Sequence, residues 1–298
     1  MMVAHIYILA TLALIYFLPF QALLCATYRK KFPPPPASFL KNRFIRIYPI
    51  YIATLIPFLI IFLLMPQIVN THAPTPSILK SITLIPFFNG SYLNLVAWTL
   101  SYEAYFYLIF SISLLLRKNA ILATSIILLA LIAIGNIFDI EFIASPISIE
   151  FIFGMLIYKL IFKKTELNKY IAFILILAGA SFICLLPSGV AFSSGDVSRV
   201  LYYGIPSAMI LAGFLSPFIS TCESKTLTLL GDASYSIYLT HILTINAIYV
   251  AFKHFGMQEK MYLLMIIIAV LMSVIVGVVA HLKIEKPLIK KARCILSA

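Results

Sequence analysis

Residues 119–138 read NAILATSIILLALIAIGNIF, twenty positions without a charge, entered from Arg117-Lys118 and left at Asp139. At 1.5 Å per residue a helix of this length covers ~30 Å, the thickness of a bilayer's hydrocarbon core. A helix at a water interface keeps one polar face, and this stretch has none. It therefore predicts a membrane-spanning helix. Eight more stretches share its character: 3–28, 47–69, 97–116, 147–162, 170–187, 200–218, 234–252 and 261–282. The expected architecture is all-α, a polytopic membrane helical bundle of nine spans forming a single integral-membrane domain over residues 1–298. The long unbroken runs exclude a barrel, whose strands alternate over about ten residues.

Composition agrees. Of 298 residues 62% are hydrophobic and 11% charged, with a mean hydropathy of +1.06. A soluble domain is nearer half apolar and a quarter charged. The net charge of +12 does not point to nucleic acid, because the basic residues are spread along the chain in a topological pattern. With Met1 outside and nine alternating spans, eighteen of the 22 Lys and Arg fall on the cytoplasmic side. They are Arg29, Lys30, Lys31, Lys41, Arg43, Arg46, Arg117, Lys118, Lys159, Lys163, Lys164, Lys169, Lys225, Lys283, Lys286, Lys290, Lys291 and Arg293. Only Lys80, Arg199, Lys253 and Lys260 remain outside, so the positive-inside rule predicts N-out and C-in. The lipid bilayer is the first expected partner. The four cysteines, Cys25, Cys184, Cys222 and Cys294, lack metal-ligand spacing, so no metal is expected.

Two connections carry information. Pro33 to Pro36 predicts a polyproline spacer ahead of a second basic cluster. The connection 70–96 contains an apolar stretch, 78–88, too short to cross and interrupted by Pro86, which reads as a re-entrant or interfacial segment.

Ionisable groups inside a span are costly and mark function by default. Glu103 stands among Trp98, Thr99, Ser101, Tyr102, Tyr105 and Tyr107 on the third span, a composition suited to a polar pocket. Arg43 and Arg46 are one helical turn apart where the second span leaves the cytoplasm, with Pro49 in its first turns. Their guanidinium forks suit phosphates of lipid or of a nucleotide-bearing cofactor, or serve as plain anchors. His241 lies seven residues beyond Ser234, about 10 Å into the membrane. Asp232 and Ser234 read as helix caps, and His281 as an interfacial residue beside the basic tail. Glu150 either shares the pocket of Glu103 or reaches the headgroups. No phosphate-binding glycine loop, zinc motif or nucleophile elbow is present. The same buried Glu and His would also suit a transporter, although no inverted repeat or matched pair of broken helices supports one.

Five blocks together resemble the membrane-bound acyltransferase-3 family. Residues 39–49, FLKNRFIRIYP, are similar to its FLxRRxxRIYPxY block, and 98–107, WTLSYEAYFY, to WSLSxExxFYL. Residues 151–158, FIFGMLIY, resemble FxxGMLLY; 234–241, SYSIYLTH, resemble SYSIYLxH; and 284–288, IEKPL, resemble the closing xEKPL.

The resemblance implies a bacterial inner-membrane enzyme. It would transfer an acyl group, usually acetyl from acetyl-CoA, to a hydroxyl of a cell-surface glycan or lipid-linked sugar, with no permanently bound cofactor. It implies that Arg43 and Arg46 meet the CoA phosphates. Glu103, with Trp98 and Ser101, would form the acceptor or transfer site, and His241 would line it. Tyr48, Tyr51 and Tyr105 are expected along the same polar path, with Glu150 as a further substrate contact. The family pattern opens with one more helix, bearing a basic residue and, eleven positions later, a histidine. Here 16–28 aligns with the family's second helix, Pro19-Phe20 replacing its Ser-Gly pair. The sequence is thus expected to lack that first helix, which keeps an inactive member or fragment as the alternative.

Overall fold

A computed structural model of the chain describes residues 22, 35–65, 75–161, 168–185, 195–215, 224–257 and 261–297. The architecture is an all-α polytopic membrane bundle. In chain order the helices are α1 Pro36–Leu64, α2 Ile78–Thr83, α3 Ala97–Ser113, α4 Ala120–Ile137, α5 Glu141–Ala144 and α6 Ser148–Ile161. They continue as α7 Lys169–Cys184, α8 Val197–Arg199, α9 Ile205–Phe214, α10 Lys225–His254, α11 Tyr262–Ala280 and α12 Lys286–Ser297. A 3-10 turn, Leu114–Asn119, joins α3 to α4. Wider π turns at Val200–Gly204 and His281–Glu285 join α8 to α9 and α11 to α12.

Among the described residues seven helical stretches are long and apolar enough to cross a bilayer: Pro36–Leu64, Ala97–Arg117, Ala120–Ile137, Glu141–Lys159, Val197–Phe214, Lys225–His254 and Tyr262–Ile295. Helix α7, at 16 residues, is shorter but equally apolar. These eight correspond to eight of the nine expected spans. The expected span 3–28 lies outside the described residues. The stretch quoted first, α4, buries only Ala120, Thr124, Leu128 and Gly135, a single stripe. Leu122, Ile126, Leu129 and Ile137 are turned outward. Hydrocarbon solvates such side chains without cost, so outward apolar residues are the normal outcome for a span.

Several boundaries differ from expectation, and each difference has a cause. Helix α1 starts at Pro36 rather than near residue 47. Proline is tolerated at a helix's first position because its missing N–H has no intrahelical partner there. The last residue of the expected polyproline spacer thus opens a helix. Pro33 and Pro34 lie outside the described residues. Pro49 and Pro57 are consequently interior, where each removes one backbone hydrogen bond. Helix α10 begins at Lys225, with Ser224 as the N-cap accepting from the Leu227 N–H. Asp232 and Ser234 are therefore interior helical residues, not caps, and His241 stands about 24 Å along the helix. The polar run 224–234 carries the helix beyond its apolar stretch, which hydropathy alone does not register.

The chain divides into two compact units. Among the described residues one comprises Lys41–Ser101 with Ser224–Ala298, and the other Tyr102–Glu223 with the residues up to Leu40. In the first, α10 and α11 pack closely at Gly277. A Cβ on Gly277 would stand 2.4 Å from the Ile237 Cα. Small residues permit this approach of membrane helices. Gly277→Leu should therefore sharply reduce the folded fraction, read as loss of the monodisperse peak in detergent size-exclusion. An unchanged peak would mean that the two helices separate at little cost.

Candidate functional site

In the first unit the connection between α1 and α3 turns back among the helices. Tyr48 and Tyr51, on one face of α1, donate their hydroxyl hydrogens to the carbonyls of Ile82 and Ser81. Tyr51 stands about 22 Å along α1. The end of α2 therefore packs against the middle of α1. Irregular backbone at membrane depth needs partners from the protein, and polar side chains supply them here. The Ser81 hydroxyl accepts from the Leu93 N–H (2.8 Å), and the Asn94 amide donates to the Leu239 carbonyl (3.3 Å). Ser101 donates to the Leu84 carbonyl (2.7 Å), and its oxygen lies 2.7 Å from the Tyr92 hydroxyl. Leu84 takes a left-handed conformation, φ +58°. Such backbone costs a bulky residue about 1–2 kcal/mol and persists only where the surroundings fix it.

The sequence marks His241, and the structure places it against this segment. The Thr99 hydroxyl, one residue after Trp98, is 2.5 Å from the Tyr238 hydroxyl. Tyr238 is in turn 3.2 Å from the Val96 carbonyl oxygen. One turn further along α10, His241 Nδ1 sits 2.5 Å from the Tyr238 carbonyl. A carbonyl only accepts, so Nδ1 carries the hydrogen and Nε2 presents a lone pair. His241 is buried, and its Nε2 has no hydrogen-bond partner among the described residues. That is the tautomer a general base requires. The start of α3, with Trp98 half-buried and Ser101 buried, is thus brought to His241 through Tyr238.

Arg43 and Arg46 lie inside α1, between the first turn and the tyrosines. Arg43 is buried and Arg46 half-buried. The i, i+3 spacing places both guanidinium groups on one face, as the sequence indicates. Phe44 stacks on Tyr48 at 4.6 Å between ring centres, fixing the adjacent face.

The second unit contains the fully buried carboxylates Glu103 and Glu150. Glu103 is fully buried, and Tyr107, one turn on, donates its hydroxyl hydrogen to Oε1. Phe106 stacks on Phe151 of α6 at 4.4 Å, packing α3 against the helix that carries Glu150. Tyr105 packs edge-on against Phe142, and its hydroxyl has no hydrogen-bond partner among the described residues. Glu150 does not reach the headgroups. It is fully buried, and Oε1 accepts from Arg199 Nη1 at 2.6 Å. Its other oxygen has no hydrogen-bond partner among the described residues. Arg199, assigned by its charge to an outside loop, is buried at the head of a span. Gly204 leaves room for the pair, since a Cβ there would stand 3.2 Å from the Glu150 Cγ.

The site residues fall into two groups. Arg43, Arg46, Trp98, Ser101 and His241 belong to the first unit, and Glu103, Tyr105 and Glu150 to the second. Among the described residues no cluster of His, Cys, Asp and Glu could hold a metal. Sequence reasoning gave no role to Tyr238 or Asn94, counted Thr99 only within a polar pocket, and took Arg199 for an outside cation. Tyr238 had a signal, its i, i+3 spacing to His241. The partners of Asn94 and Glu150 are remote in sequence and had none.

Compared with known proteins, residues 5–282 match a family described as "Acyltransferase domain". The chain is similar to the "Exopolysaccharide production protein ExoZ" of Rhizobium meliloti (strain 1021), with 29% identity over 214 residues, 66% of this chain. It spans 62% of that relative's length. No solved structure matches.

Proposed function

The chain belongs to the acyltransferase-3 family, and from that premise we propose that it is a membrane O-acyltransferase. It moves an acetyl group from acetyl-CoA to a hydroxyl of a cell-surface glycan or lipid-linked sugar, in a bacterial inner membrane. The glycan acceptor draws support from the relative's printed role in exopolysaccharide production. The observation that carries the reading is His241, a buried imidazole with Nδ1 tied to a carbonyl and Nε2 open, linked through Tyr238 to the start of α3. Acyl transfer needs a base for the acceptor's hydroxyl proton and donors for the developing oxyanion. His241 Nε2 is the base. On the family resemblance alone, we propose Glu103 as a second catalytic group and Trp98, Ser101, Tyr105 and Glu150 as acceptor contacts.

Arg43 and Arg46 bind the donor's phosphates, for which planar forks are suited. Hydrogen bonds to charged groups contribute roughly 1.5–3 kcal/mol each. Arg43→Ala with Arg46→Ala should then raise the KM for acetyl-CoA about 100-fold and change kcat less. An unchanged KM would exclude the phosphate role.

Membranes containing the chain, incubated with radiolabelled acetyl-CoA, test the activity. Alkali-labile label on the extracted glycan is the expected result. Its absence, with folded protein present and the acceptor intact, would contradict the assignment.

A further inference from the structure

A second buried histidine lies in the first unit, in a cluster that the reading above leaves unused. The sequence suggests an interfacial His281 beside the basic tail, but its exposure is 5%. Its Nδ1 is 2.7 Å from Glu285 Oε2 within the π turn that ends α11. Ser236 of α10 donates its hydroxyl hydrogen to the same oxygen at 2.6 Å. The close approach of Gly277 to Ile237 sets this contact, because these residues neighbour His281 by one turn and Ser236 directly. The π turn itself is a rare geometry, frequent at functional sites.

The chemistry of the cluster is specific. A carboxylate accepting from Nδ1–H fixes the imidazole's tautomer and orientation and stabilises the imidazolium when Nε2 is protonated. The Ser236 hydroxyl holds the carboxylate in place. His281 Nε2 is buried and has no hydrogen-bond partner among the described residues. A buried polar atom in that state is costly, and its retention calls for a partner in the loaded protein. Of the described histidines only His241 and His281 are buried with Nδ1 engaged and Nε2 open.

We propose that His281, positioned by Glu285 and Ser236, is the general acid that protonates the leaving thiolate of the acyl donor. This rests on the thioester-to-hydroxyl reading above. His241 Nε2 takes the hydroxyl proton as the acceptor oxygen forms its bond to the acyl carbon. The carbon–sulfur bond breaks, its electron pair leaves on sulfur, and His281 Nε2–H donates its proton to that sulfur. His241 then returns one proton to solvent, and His281 takes one up. By position the order is sensible. Ser236, which holds the dyad, stands about 7.5 Å nearer the basic end of α10 than His241 does. The donor's nucleotide is assigned to the basic side and the acceptor to the opposite one.

The test varies the need for a proton while keeping the donor's shape. The leaving thiolate of acetyl-CoA ends protonated at neutral pH, and an acid assists its departure. The selenoester of the same cofactor releases a selenolate that is stable unprotonated at neutral pH. The full chain in proteoliposomes should lose about 100-fold in kcat with acetyl-CoA on His281→Gln, within the range for acid–base groups. The loss with the selenoester should be less than about threefold, with donor affinity unchanged. Glu285→Gln should show about a tenfold loss with the same selenium rescue, and Glu285→Gln added to His281→Gln should cost little more. Equal losses with both donors, or no loss, would overturn the proposal while the transferase reading stands. Failure of the wild-type protein to transfer from either donor would remove the reading on which it rests.

Discussion

Membranes expressing Arg199→Met are expected to contain little folded protein. Glu150 is fully closed off from solvent, and Arg199 is 3% exposed at 2.6 Å from it. Removing the cation leaves a fully buried carboxylate with no other ion-pair partner among the described residues. Breaking such a pair from one side costs about 3–5 kcal/mol, a large part of a domain's typical stability. The pair itself contributes far less, because its desolvation offsets most of its attraction. Glu150→Gln combined with Arg199→Met should therefore recover most of the folded fraction that Arg199→Met loses. Thermal unfolding in detergent reads both. An Arg199→Met protein as stable as wild type would show that the pair is solvated in the membrane.

Glu103→Gln is expected to remove acyl transfer while preserving the fold. The amide matches the carboxyl in volume and can still accept from the Tyr107 hydroxyl. What disappears is the charge and the ability to take a proton. A catalytic carboxylate then predicts a loss of roughly 10²–10⁴-fold in transfer, with acetyl-CoA affinity and thermal stability within experimental scatter. Transfer within threefold of wild type would make Glu103 a packing residue.

The spans were legible because a bilayer demands one thing of a helix, a sufficient apolar length, and hydropathy reports it directly. The helix starts were not. Lys41, Arg43 and Arg46 precede the apolar run of α1, and Asp232 that of α10, so each helix looks shorter than it is. Charge placement misassigned Arg199 because a loop cation and a buried ion-paired one look identical in sequence. His281 was misread for the same reason, since only the fold brings Ser236 and Glu285 to one point. His241, Glu103 and the two arginines were legible as polar exceptions in an apolar context. The connection 70–96 was legible as holding an apolar run too short to cross. Its packing against α1 rests on Tyr48 and Tyr51, whose partners lie about thirty residues further along the chain.

The central claim is that the buried polar network around His241 is where an acyl group passes from a donor on the basic side of the membrane to an acceptor. Sealed inside-out vesicles, which expose that side, test it most directly. Radiolabelled acetyl-CoA is added outside, with acceptor glycan enclosed in the lumen. The account predicts label on the enclosed glycan with the wild-type chain, and little with His241→Gln despite normal donor binding. Equal labelling by His241→Gln, or label confined to glycan on the donor's side, would contradict it.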